Sequence, residues 1–325
     1  MAARDDLSVR PGLPARAARG RRPWRAQGRQ HSLTSQDRRL GYALVAPVVI
    51  VLLAITAYPL FYNVWNSFHY ADFLDVATYS AFAGLRNYAD LFSAHQFVPA
   101  LVRTLGFTVV SVAVETAIGL GIALALNRPF RGRGIVRAAV FIPWAVPTVV
   151  SAELWKTMFD PQSGFVNYIL AHLHLPLATT TWLDGTWTAW TAILVADAWR
   201  NTPFMAIVLL AGLQVIPRDI YEAAKIDGAS AWQTFRRLTL PLLMPALLVA
   251  LIFRTLSSFL IFDVVYIMTG GGPGTSTTVL SVLNYQAFLD DFNYGYGGAI
   301  AVAMVIMALI IAGAYQRILR TNQQT

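Results

Sequence analysis

Six stretches of this chain, near residues 41–65, 102–126, 135–157, 187–215, 241–268 and 297–317, stay apolar for about 20 residues or more. That is the length of helix that crosses a hydrocarbon core of roughly 30 Å at about 1.5 Å per residue. Lys156, Arg200 and Arg254 interrupt stretches that are otherwise apolar over several turns, as in helices that turn a polar residue towards a bundle interior. With 56% hydrophobic and 13% charged residues, the chain has about half the charge of an ordinary soluble domain. The reading is an all-α polytopic membrane protein with six transmembrane helices, not the pair of soluble domains that 325 residues would allow.

Orientation follows from the basic residues. Ten Arg lie in residues 1–40, and others follow at Arg128, Arg131, Arg133 and Arg137, at Arg218, Lys225, Arg236 and Arg237, and at Arg317 and Arg320. The alternate connections 66–100, 158–186 and 269–296 hold one, Arg86, against seven Asp. Lys and Arg accumulate on the cytoplasmic side, so both termini are expected in the cytoplasm of a bacterial plasma membrane. The expected organisation is an Arg-rich, disordered tail at 1–40, a transmembrane domain at 41–320 with a cytoplasmic loop at 217–240, and a short tail at 321–325. The first apolar run is long enough to span and has no cleavage site after it, so it is not a signal peptide.

The net charge of +8 is thereby a matter of topology. A nucleic-acid binder gathers its basic residues on one folded face beside aromatic platforms, and this chain does not. The absence of Cys excludes thiol chemistry. His172 and His174 read as solvated loop residues and not as metal ligands. No P-loop is present, since neither lysine, Lys156 nor Lys225, follows Gly, and no serine-hydrolase or HExxH pattern appears. Asp290 and Asp291 are adjacent and cannot face each other across a substrate. The chain is therefore expected to be no enzyme, to bind no cofactor, and to leave ATP and Mg to a partner.

The segment 217–245 is the most informative. Pro217 suits a first helical turn, Gly228 supplies a break, and Ser230 with Gln233 three places on makes a capping box. The second short helix is expected to stop near Leu240, because Pro241 disfavours helix in the residue before it. The pair presents small residues with Ile226, Trp232 and Phe235, which fits a docking knob for a soluble partner or an amphipathic helix lying on lipid.

Polar residues inside spans are expensive unless they face protein or a water-filled path. They are Arg103, Glu115, Glu153, Lys156, Asp197, Arg200, Asn201, Arg254, Ser257, Ser258 and Asp263. Asp197 and Asn201 share one helix face ahead of Pro203, which frees the carbonyl four residues earlier and could kink that helix. Asp197 could instead neutralise Arg200, three residues on, and Asp263 could pair with Arg254. Ser257, Ser258 and Asp263 form a second candidate polar patch. Glu153 and Lys156 read as a local ion pair, and Trp155 and Tyr266 as an interfacial aromatic belt.

Glu222-Ala223-Ala224, Asp227-Gly228-Ala229, Phe235, Leu240-Pro241 and Pro245 resemble the EAA loop of permease subunits of bacterial ABC importers. Thr269-Gly270-Gly271-Gly272-Pro273 with Thr277, Tyr285 and Phe288 is similar to an external segment of the carbohydrate-uptake branch, of maltose/trehalose-permease type. Gly84 to Tyr88, Gly119 to Leu126, Ile142-Pro143-Trp144 and Trp199 to Phe204 agree, so the likeness covers about residues 40–320. It implies the type I importer permease fold, a second homologous permease, two copies of a cytoplasmic ABC ATPase and an extracytoplasmic sugar-binding protein, with a disaccharide such as trehalose or maltose as substrate. It also implies that Glu222, Ala223, Ala224, Asp227 and Gly228 couple to the ATPase, and that Trp144, Thr148, Asp197 and Asn201 lie on the sugar-contacting surface. The loop 66–100 is short and lacks the large inserted domain of the enteric maltose permease, so contacts with the delivering protein must be fewer or differently placed.

The competing reading is an ion-coupled secondary transporter working through Glu115, Asp197 or Asp263. Such proteins often carry internal repeats, and none is evident between the two halves.

Overall fold

A computed structural model of the chain describes residues 35–71 and 80–322. The tail expected at 1–40 lies outside the described residues as far as position 34, as do His31, Asp72, Asp75 and residues 323–325. The chain divides into two compact units, one ending at Ile55 and the other starting at Thr56. The described part of the first unit is the beginning of α1 (Ser35–Ser67), apolar and exposed at residues such as Leu44, Ile50 and Leu53.

The described part of the second unit consists of helices joined by loops, with an isolated β-bridge between His69 and Phe82. After α1 come α2 (Arg86–Ser93), α3 (Phe97–Asn127), α4 (Arg133–Ala145), α5 (Thr148–Met158), α6 (Phe165–His172) and α7 (Thr186–Val215). They are followed by α8 (Arg218–Ile226), α9 (Ala231–Thr234), α10 (Leu240–Phe259), α11 (Asp263–Thr269), α12 (Leu280–Tyr285) and α13 (Tyr294–Asn322). Among the described residues, five helical runs are long and apolar enough to cross a membrane: 42–67, 97–127, 186–215, 231–269 and 294–319.

The expected third span differs. It is a broken pair, α4 and α5, bent by 95°. Pro147 has no N–H and forces Val146 into extended backbone, with ψ 131°, so the helix cannot continue. Broken backbone is tolerated at membrane depth only where protein satisfies it. Here Arg200 Nε donates to the Val146 carbonyl at 3.2 Å. A second break, between α10 and α11, is treated the same way: the Ser281 hydroxyl donates to the Ile261 carbonyl. By contrast, α7 continues as one helix through Pro203.

Three helices make the frame. Gly119 lets α3 approach α7 so closely that a Cβ there would stand 2.7 Å from Met205 Cβ. Small residues at such crossings bring backbones together, which is how apolar helices gain packing in a lipid solvent. Ala123, Leu126, Leu209, Leu213 and Leu243 fill the contact among α3, α7 and α10 at one end. At the other end Phe107, Ile193, Val265 and Met268 form a core, and Phe97, Phe259, Leu280 and Ile300 form a third that holds α13.

Candidate functional site

The loop after α7 is built from local bonds. Pro217 precedes α8, and Asp227 ends it. Gly228 follows at φ +75°, a conformation glycine adopts without strain. Ala229 N–H reaches back to the Ala224 carbonyl at 2.9 Å, and Gly228 N–H to that of Lys225 at 3.1 Å, the paired bonds of a Schellman stop. Ser230 then caps α9. Its N–H donates to Gln233 Oε1 at 2.8 Å, and its hydroxyl oxygen accepts from Gln233 N–H at 3.3 Å. Two helix ends thus meet within four residues, every bond between residues close in sequence, and the turn is stiff.

The pair also offers a surface. Glu222, Ala223, Asp227 and Gly228 are exposed and Ala224 is buried. Ile226 is 86% and Trp232 66% exposed, with Trp232 stacked on Phe235 at 5.8 Å. Apolar surface of that kind is costly to leave in water.

The second short helix does not stop at Leu240, as Pro241 suggested. A π-helical turn at Phe235–Thr239 carries α9 directly into α10. Proline clashes with the carbonyl four residues back and cannot donate to it, and the wider π turn absorbs both defects. The consequence is mechanical: the knob is one end of a continuous rod that includes Arg254.

Arg254 is 3% exposed and is the hub of a charge network that ties α10 to α3 and α7. Its Nε and Nη2 grip Glu115 of α3 as a fork, with Nη2 to Oε1 at 2.7 Å, and Nη2 also meets Asp197 of α7. Its Nη1 donates to the Ser257 hydroxyl at 3.1 Å. Asp197 in turn accepts from Asn201 Nδ2 at 2.7 Å, and Asn201 Oδ1 accepts from Arg200 at 3.2 Å. One string of bonds therefore runs from the broken carbonyl of Val146 to the interior of α3. Removing Arg254, Glu115 or Asp197 leaves an uncompensated buried charge.

The pairings anticipated from sequence are replaced. Asp197 does not neutralise Arg200 but meets Arg254 and Asn201, and Arg254 does not pair with Asp263. Glu153 and Lys156 form no ion pair and stand exposed at the end of α5. Trp155 is half-buried against Phe159 and Trp199. Of the candidate pathway residues, Asp197, Asn201 and Ser257 gather around Arg254. Trp144 is 53% exposed and stacks on Phe204 at 6.4 Å, while Thr148 opens α5 just past the break. Ser258 turns away to Ser111 of α3 at 2.7 Å, and Asp263 lies beyond the second break.

Glu115 with Arg254 was not joined by reading the sequence, although a signal existed. Glu115, Asp197 and Arg254 each lie near the middle of their spans and so share a depth, where a lone cation must find carboxylates.

A bundle of broken and unbroken spans with an exposed helical knob, and with its buried charges bound to one another, defines a membrane-embedded transport subunit. The chain belongs to the family described as "Binding-protein-dependent transport system inner membrane component", whose model matches residues 117–322. It is 42% identical over 287 residues to the trehalose/maltose transport system permease protein MalF of Thermococcus litoralis, covering 88% of this chain and 95% of that one. Similarity extends to the trehalose transport system permease protein SugA of Mycobacterium tuberculosis, 39% identical over 85% of this chain and 87% of that one. The crystal structure of a bacterial ABC transporter that imports the acidic polysaccharide alginate superposes with a TM-score of 0.77 at 25% identity, covering 88% of this chain and 96% of the other. The chain is thus a non-catalytic, multi-pass permease subunit of an ABC importer, carrying the EAA loop of its family.

Proposed function

We propose that this permease conducts a neutral disaccharide of the trehalose or maltose type. It would do so in a pathway shared with a second homologous permease, powered by two copies of a cytoplasmic ATPase that bind ATP and Mg, and supplied by an extracytoplasmic binding protein. Both termini and the 217–240 loop face the cytoplasm on this reading, in keeping with the distribution of Arg and Lys. The sugar is suggested by the trehalose and maltose relatives.

One observation carries the coupling: the rigid, exposed helix pair at 218–234 continues without interruption into α10. ATP binding would draw the ATPases together and displace Glu222, Ala223, Ala224, Asp227 and Gly228 with them. Through α10 the displacement reaches Arg254, which holds α3 and α7, so the three spans move as a body. Asp197 would stay bound to Arg254 and orient Asn201, so that Asn201 and Ser257, with Trp144 and Thr148, present hydroxyl-bonding groups and an aromatic ring to the sugar. An ion-coupled carrier is disfavoured, because Glu115 and Asp197 are already engaged by Arg254.

The test is purification of the solubilised complex through a tag on this chain, with ATPase assays in the presence of candidate sugars and binding protein. Co-purification of an ATPase and a second permease, with hydrolysis rising for one sugar, is the expected result. A chain that emerges alone and moves solute in liposomes without ATP would overturn the proposal.

A further inference from the structure

At the end of the spans remote from the knob, a cleft of 650 Å³ is lined by Glu153, Lys156, Tyr266, Thr269, Gln286 and Asp290. Its volume is in the range of pockets that hold small molecules, roughly 300–1,000 Å³. The side chains of Glu153, Lys156, Gln286 and Asp290 make no hydrogen bond or ion pair within the described residues, so four polar groups line the cleft free to exchange water for a ligand. Tyr266 is the exposed member of an aromatic cluster. Its ring stacks on Phe262 at 5.1 Å with 15° between planes, lies 4.7 Å from Tyr285, and donates its hydroxyl to that of Tyr285 at 3.3 Å. Gln286 and Asp290 begin and end a π-helical turn, an irregularity common at functional sites.

A fixed ring beside carboxylates, an amide and an ammonium is the chemistry that recognises a sugar, whose apolar ring face stacks while its hydroxyls both donate and accept. Two carboxylates against one ammonium favour a neutral glycan over an anionic one. We infer that this cleft is an outer landing subsite for a neutral sugar, with Tyr266 taking the ring face and Glu153, Lys156, Gln286 and Asp290 the hydroxyls. The sugar occupies it before it reaches Asp197 and Asn201. The inference rests on the reading of the chain as a sugar permease.

The experiment uses the full complex in proteoliposomes with its binding protein, and measures uptake of radiolabelled trehalose and maltose against sugar concentration. Tyr266→Ala is expected to raise the half-saturating concentration about fivefold, and Tyr266→Phe, which keeps the ring, to stay within about twofold of wild type. A Tyr266→Ala curve that superimposes on wild type, or a Phe variant as impaired as Ala, overturns the subsite. Should Tyr266→Ala fail to co-purify with its partners, the double variant Glu153→Gln/Asp290→Asn leaves the ring stack in place. It is expected to shift the curve in the same direction, and a superimposable curve is again fatal. Wild-type proteoliposomes that take up no neutral sugar overturn the sugar-permease reading as well. Wild-type uptake with an unresponsive Tyr266→Ala overturns the cleft alone.

Discussion

The bonds that shape the turn between α8 and α9 join residues no more than five apart, whereas those that hold Arg254 reach residues 57 and 139 positions away. The turn is exposed and has cheap alternatives in water. The network sits among apolar spans, where an unmade bond has no solvent to replace it. The loop can therefore be stiff in itself and still be moved by a partner, while the network holds its spans together through the movement.

The largest effect is expected inside. Arg254→Met leaves Glu115 and Asp197 buried without their cation and should cost roughly 3–5 kcal/mol, seen as lost yield and a lowered melting temperature of the solubilised protein. Adding Glu115→Gln and Asp197→Asn to that variant should recover part of the loss. If the single variant melts like wild type, the network is not what binds the three spans. At the knob the expectation is reversed, with the packing of the spans kept and coupling lost. Gly228→Pro cannot adopt φ +75°, and Glu222→Arg reverses the charge offered to the ATPase. Both should insert normally yet lower uptake relative to ATP hydrolysis by roughly tenfold, and normal transport by both would remove the knob from the mechanism.

Smaller effects test where the two regions approach each other in character. Arg200→Leu strands the Val146 carbonyl at the 95° break and should cost about 1–3 kcal/mol, with faster amide exchange around 146–150. Ser230→Ala removes one cap of the knob, worth about 1 kcal/mol, with faster exchange confined to 231–234. The smallest lies in the turn after α5. There the N–H and hydroxyl of Ser163 and the N–H of Gln162 donate to Asp160 and hold its carboxyl below the usual range. That contribution is present above the ordinary carboxylate pKa and is lost as pH falls through the lowered one. Asp160→Asn should therefore loosen residues 160–164 at neutral pH, and the difference from wild type should vanish in acid.

Sequence reading reached the helix pair almost completely because its signals are local: a glycine, a serine with Gln233, and an EAA pattern at fixed spacing. It erred at Leu240, where proline chemistry was applied without the π turn that relieves it. It also erred at Glu153 and Lys156, where spacing along one helix did not bring the two charges together. In the spans it named Glu115, Asp197 and Arg254 as residues needing an explanation, gave Glu115 no partner, and offered Arg200 to Asp197 and Asp263 to Arg254, because spacing along one chain segment does not show which helices meet.

Apolar length and loop chemistry, both properties of short windows of chain, determined that this is a helical membrane protein and where its knob lies, and the likeness of that loop to the EAA segment made it a permease. The break of the third span into α4 and α5, the rod from knob to Arg254, and the choice of Glu115 and Asp197 as partners were decided by tertiary structure. A buried charge is satisfied by whatever shares its depth in the bundle, and a freed carbonyl by whichever donor packs against it. Both depend on how the helices pack against one another, which no stretch of sequence specifies alone.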